Sequence, residues 1–115
     1  MGYVLIHHTG CGSSKKGLTL LQENCVEPEI RKYMNKTERL NEQELREIAK
    51  KMGGVSPREF MRAKDAEKAG ITDASSDDEI FAVMAENPKV IQRPIGINGG
   101  KAVVGRPNDA LLGIV

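Results

Sequence analysis

Apolar residues fall along this chain in short runs and helical stripes, and their order predicts the elements. Tyr3 to Ile6 is an apolar and β-branched run that predicts a buried strand. From Ser13 onward, Leu18, Leu21 and Cys25 recur at i, i+3 and i+7, one stripe of an amphipathic helix. Ile30 to Met34 follows Pro28 and predicts a second strand. Asn41 with Glu44 makes a capping-box start, and Leu45, Ile48, Ala49 and Met52 supply a helical stripe that Gly53 stops. Ser56, Pro57 and Glu59 repeat the start signal, with proline at the first helical position, where its missing N–H costs nothing. Residues 70–79 are polar and read as a loop. A further helix is predicted from Asp77, with Ile80, Val83 and Met84 on one face, ending before Pro88. Ile95 to Asn98, the turn Asn98-Gly99-Gly100, and Ala102 to Val104 predict a hairpin, and Pro107 opens a short C-terminal helix.

The order strand, helix, strand, several helices, hairpin, helix predicts an open α/β sheet. Its first two strands should be parallel through a right-handed crossover, with the hairpin adding an antiparallel part. This is the layout of a thioredoxin-like core, a mixed sheet flanked by helices, with a helical insertion over about residues 38–88. The loop after the first strand then lies at the carboxyl edge of the sheet, where open α/β folds bind ligands, and that loop contains Cys11.

Composition narrows the classes. A chain of 115 residues predicts one domain over residues 1–115 with one modest core. Lys and Arg total 17 against 16 for Asp and Glu, so the net charge of +1 makes no field for nucleic acid or an anionic membrane. Two Phe, two Tyr and no Trp leave few rings for base stacking. The run Tyr3 to Ile6 is too short for a signal-peptide core or a membrane span, which predicts a cytoplasmic protein, and we expect a monomer. Thiols stay reduced in that compartment, so Cys11 and Cys25 point to chemistry or packing more than to a disulfide.

The segment "HHTGCGSSKK" places Cys11 between two glycines at a predicted helix start. The N–H groups of Gly12, Ser13 and Ser14 would be orphan donors there, and with the helix dipole they favour a thiolate or an oxyanion. A thiol with pKa near 8.5 is only about 3% ionised at pH 7, and lowering it to about 6.5 makes roughly three-quarters thiolate. His7, at the strand end, would assist when protonated. His7 and His8 should face opposite ways and not both reach the cysteine. Residues His7, His8, Cys11 and Cys25 match no common metal-ligand spacing, so no metal and no bound cofactor are expected. Cys25 is expected to be a buried small hydrophobe about 20 Å from Cys11 at the far end of the same helix.

Four pieces of the chain resemble the glutaredoxin-coupled arsenate reductase family: His7-x-x-x-Cys11-Gly-Ser-Ser, Arg62 within "SPREFMRAK", Arg93-Pro94 within "VIQRPIGI", and Arg106-Pro107 within "VVGRPND". The resemblance also covers "VEPEIRKYM" and runs in order over nearly the whole chain. It implies the thioredoxin-like fold, Cys11 as nucleophile with His7 beside it, and Arg62, Arg93 and Arg106 as the oxyanion ligands, helped by Gly12, Ser13 and Ser14. It also implies a cis Arg93-Pro94 bond. His8-Thr9-Gly10 departs from the Asn-Pro that better-known members carry, and Lys15 replaces a frequent arginine.

The function implied by the resemblance is reduction of arsenate. The Cys11 thiolate would attack arsenic to form a thio-arsenate adduct, which glutathione as thiol co-substrate and a glutaredoxin partner resolve to arsenite. Arginine suits this work, since its planar fork donates paired hydrogen bonds to a tetrahedral oxyanion and stays charged. Two alternatives are another thiol-dependent reductase activity in the same site and an Spx-type regulator that binds RNA polymerase. Such regulators commonly carry a Cys-x-x-Cys switch, whereas Ser14 holds the second position here.

Overall fold

A computed structural model describes residues 2–115. Four strands, β1 (Tyr3–Ile6), β2 (Glu29–Arg31), β3 (Ile95–Asn98) and β4 (Lys101–Val104), form one sheet in the order β2-β1-β3-β4. β1 runs parallel to β2 and antiparallel to β3, and β3 pairs with β4 as a hairpin. The mixed sheet with helices on both faces is the predicted thioredoxin-like architecture.

Alternation along β1 decides which helices each face receives. Tyr3 and Leu5 pack with Leu21 of α1 (Gly12–Glu23) and with Leu111 of the C-terminal 3-10 helix (Asn108–Ile114). Ile6 joins a larger core with Tyr33, Leu45, Phe60, Ile80, Met84 and Ile95. That core is supplied by the chain between β2 and β3, which forms α2 (Glu42–Lys51), α3 (Ala63–Lys68) and α4 (Asp77–Glu86) joined by 3-10 turns. Gly96 on β3 is required by a close approach, because a Cβ there would meet the Tyr3 ring and Leu111. The Tyr3 hydroxyl uses that space to donate to the Leu111 carbonyl at 2.8 Å.

Local signals held where side chains cap the backbone. Asn41 and Glu44 close a reciprocal capping box at the start of α2, and Ser76 with Glu79 does the same for α4. Three expectations shifted. The second strand is shorter than Ile30 to Met34 and stops at Arg31, because Tyr33 turns fully into the core and its hydroxyl donates to the Ile91 carbonyl. The start signal at Ser56 opens a 3-10 turn, Pro57–Phe60, and the α-helix begins only at Ala63 after Met61 bridges to Ile91.

Cys25 is the third and is corrected outright: it is exposed, not buried. α1 ends at Glu23, and Cys25 takes the left-handed conformation, φ 63°, of a helix-terminating turn. The stripe through Leu18 and Leu21 therefore ends before reaching it.

Candidate active site

β1 ends at Ile6, and the five residues His7 to Cys11 carry the chain back over the sheet edge to α1. Cys11 is the N-cap, with extended backbone and its N–H donating to the His8 carbonyl at 3.0 Å. Fully buried Ser14 pins the other end of the loop, its Oγ accepting from the His8 N–H at 3.3 Å. Ser13 is held from the C-terminal side, where Asn108 Nδ2 donates to its carbonyl at 3.0 Å.

Partial burial pushes the Cys11 thiol up, but the backbone N–H groups of Ser14 and Ser13, the Arg93 guanidinium and the Ser14 hydroxyl outweigh it. The net result is a thiol brought down from 9.0 to about 7. About half of Cys11 is then thiolate at neutral pH. Alkylation by iodoacetamide should accordingly rise with pH about a midpoint near 7. A midpoint near that of a free cysteine would mean that the helix-terminal donors do not act on the sulfur.

The two Arg-Pro dipeptides meet here. Both Arg93-Pro94 and Arg106-Pro107 are cis, the second of which sequence reasoning did not anticipate. Arg106 Nη2 donates to Cys11 Sγ at 3.7 Å, while its Nε donates to the Arg93 carbonyl at 2.9 Å. Arg93 is 9% exposed, and its Nη1 reaches the Tyr33 hydroxyl at 3.4 Å and the carbonyls of Lys89 and Ile91, both at 3.3 Å. Its buried Nε has no partner among the described residues. Arg62, just before α3, donates from Nε to Asp65 Oδ2 at 3.0 Å. With Arg106 it lines a cleft of about 210 Å³ shared with Lys64, Asp65 and Gln92. A second groove of about 210 Å³, against α2, is lined by residues including Val4, Leu40 and Glu44 and holds no cysteine.

The two histidines differ in burial and in the charges around them. His7 is buried, and desolvation, then the charges of His8, Lys32 and Lys15, hold its pKa below the usual value. It is therefore a neutral imidazole at neutral pH. His8 is also lowered, by desolvation and then by Arg93 and Arg62, which places it on the arginine side. Gly10 makes room for it, since a Cβ there would sit 3.3 Å from the His8 ring. Tyr33 and Asp65, which hold two of the arginines, were not singled out in the sequence. The i, i+3 spacing of Arg62 and Asp65 was a usable signal, and the Tyr33 contact, across 60 residues of chain, was not. Among the described residues no cluster of three or more metal-ligating side chains is found, and no helix is long and apolar enough to cross a membrane.

A mixed sheet of this order with a low-pKa cysteine at the carboxyl edge of its first strand defines a thioredoxin-like protein with a thiol site. Residues 6–114 match the model of the ArsC family. The chain is 36% identical to "Arsenate reductase" of Haemophilus influenzae, the match covering 100% of both chains. It is 37% identical to YfgD of Escherichia coli, over 96% of this chain and 94% of that one. The solved structure of an arsenate reductase from Vibrio cholerae superposes with a TM-score of 0.87 at 33% identity, covering 100% of this chain and 98% of that chain. The chain belongs to the ArsC family.

Proposed function

We propose that this protein is an arsenate reductase whose Cys11 thiolate attacks arsenic. The observation that carries the reading is the contact of Arg106 Nη2 with Cys11 Sγ at 3.7 Å, which sets a cation beside a nucleophile. Relatives named arsenate reductase at this level of identity support the same oxidoreductase class.

Thiolate and arsenate are both anions, so their approach needs countercharge. Arg62, Arg93 and Arg106 supply it as fixed donors to the arsenate oxygens. The Sγ–As bond forms as one arsenate oxygen takes up protons and leaves as water. The N–H groups of Gly12, Ser13 and Ser14 support the sulfur and the nearest oxygen. His7, its pKa held below the usual value, supplies no countercharge at neutral pH. A second thiol then attacks the adduct. Arsenic gains two electrons and leaves as arsenite, and the two sulfurs that lose them join as a disulfide.

That second thiol comes from outside the chain. Position 14 is serine, and Cys25 lies beyond the far end of α1. Glutathione suits the role as a small thiol able to enter an edge site, with a glutaredoxin reducing the mixed disulfide on Cys11. The test is arsenite formation from arsenate with glutathione and glutaredoxin together and with each withheld. Turnover that needs both supports the reading. Absence of arsenite from protein whose Cys11 still alkylates rapidly at pH 7 would assign the thiol to another substrate.

A further inference from the structure

We infer that Asp65 is a positioning residue of the anion site, acting on the oxyanion through Arg62; the inference rests on the oxyanion reading above. A carboxylate in a cleft lined by Arg62, Lys64 and Arg106 works against any anion that enters it. Its place there calls for a compensating task.

The geometry supplies one. The Arg62 backbone is fixed by its N–H, which donates to the Val90 carbonyl at 2.7 Å. The long side chain remains to be set, and Asp65 Oδ2 takes its Nε at 3.0 Å with the two side chains only 32% and 27% exposed. This leaves Nη1 and Nη2 without a partner among the described residues, as a planar fork for paired hydrogen bonds to a tetrahedral anion. Arg106 repeats the arrangement: its Nε is taken by the Arg93 carbonyl and its outer nitrogens are left to the sulfur and its surroundings. Two arginines lining the cleft are thus each tied at Nε and present their outer nitrogens. A fork fixed in advance loses less conformational freedom when the anion binds, so Asp65 should act on affinity more than on the chemical step.

An ion pair that only stabilises the first turn of α3 would leave anion affinity unchanged. Sulfate, an oxyanion that the thiol does not reduce, separates the two roles by protecting Cys11 from iodoacetamide in wild type, Asp65→Asn and Asp65→Ala. The alanine variant is expected to need about tenfold more sulfate for half-protection, the loss expected for one misplaced charge-assisted donor. The asparagine variant should stay within about threefold of wild type, because its amide oxygen accepts the same bond. In arsenate turnover the alanine variant should show the loss in KM, with kcat within about twofold. The pH midpoint of alkylation should not move, since Arg62 is not among the groups that set the thiol.

Protection in the alanine variant equal to or better than wild type overturns the inference. So does an asparagine variant as weak as alanine, a shifted midpoint, or wild-type protein that sulfate never protects. Should no variant reduce arsenate while the sulfate series behaves as expected, the arsenate reading fails and the positioning role stands.

Discussion

Replacing Cys11 with serine is expected to lower arsenite formation on the order of 10⁴-fold or more, to the background of the assay, while leaving oxyanion binding nearly intact. The arithmetic begins with ionisation. With the thiol at about 7, roughly half the wild-type molecules carry the nucleophile at neutral pH. A serine hydroxyl in the same place is almost wholly protonated, and no neighbour is a strong base, because His7 and His8 are both pushed below their ordinary range. The second reason is electronic and does not depend on rate. Reduction of arsenic requires a sulfur that gives up electrons and is left as half of a disulfide, and an oxygen ester offers no such path. Binding should survive, since the Ser13 and Ser14 N–H groups and the arginines do not depend on the sulfur. Arsenite assay and calorimetric titration with sulfate measure the two properties side by side. Residual turnover within about a hundredfold of wild type would move the electron-transfer step to another thiol, and exposed Cys25 would be the one to examine.

How much of this was legible in the sequence depends on the range of the interaction that decides each feature. Capping boxes are decided within four residues, and Asn41 with Glu44 formed as read. The hairpin turn is equally local: the turn Asn98-Gly99-Gly100 forms as read, with Gly99 at a positive φ of 62°. The Cys11 site was legible because two of the donors to its sulfur, the Ser13 and Ser14 N–H groups, lie two and three residues along a helix start. Features decided by distant packing, or by a local turn that spacing does not reveal, were misread. Tyr33 ends the second strand early because a core built by residues 40 to 95 claims its ring, and nothing between Pro28 and Met34 announces that. Cys25 satisfied a helical stripe by spacing alone, while the turn after Glu23, with Val26 N–H donating to the Leu21 carbonyl, removed it from the helix. The three arginines stand 31 and 13 residues apart in sequence, and only their resemblance to a known motif marked them as a set. Of their fastenings only Arg62 to Asp65 had a local signal, the i, i+3 spacing; Arg93 to Tyr33 and Arg106 to the Arg93 carbonyl had none.

Arg93→Met should separate function from stability, with kcat/KM for arsenate down about 10³-fold and the fold as stable as wild type or more so. The loss of activity has two sources. One is removal of a preorganised donor from the site where charge develops, worth about 10²–10³ for a single group. The other is the thiol itself: Arg93 is one of the groups holding it down, so its pKa rises in the variant and less thiolate is present at neutral pH. Stability should move the other way because of what surrounds the side chain. Arg93 is 91% buried, being 9% exposed, and no carboxylate pairs with it among the described residues. Its partners are the neutral Tyr33 hydroxyl and two carbonyls, and its Nε is left without one. A buried cation met by neutral dipoles and by a thiol only about half ionised at neutral pH keeps much of its desolvation cost, so exchanging it for an apolar side chain of similar length should be close to neutral or stabilising. The Tyr33 hydroxyl would keep its bond to Ile91, so little is orphaned by the change. Urea denaturation of the two proteins reads the difference directly. A methionine variant less stable by more than about 2 kcal/mol would make Arg93 a structural group of the core. A variant of equal or greater stability would mean that the resting protein carries at Arg93 a charge that the partly ionised Cys11 balances only in part, leaving the rest for an arriving oxyanion.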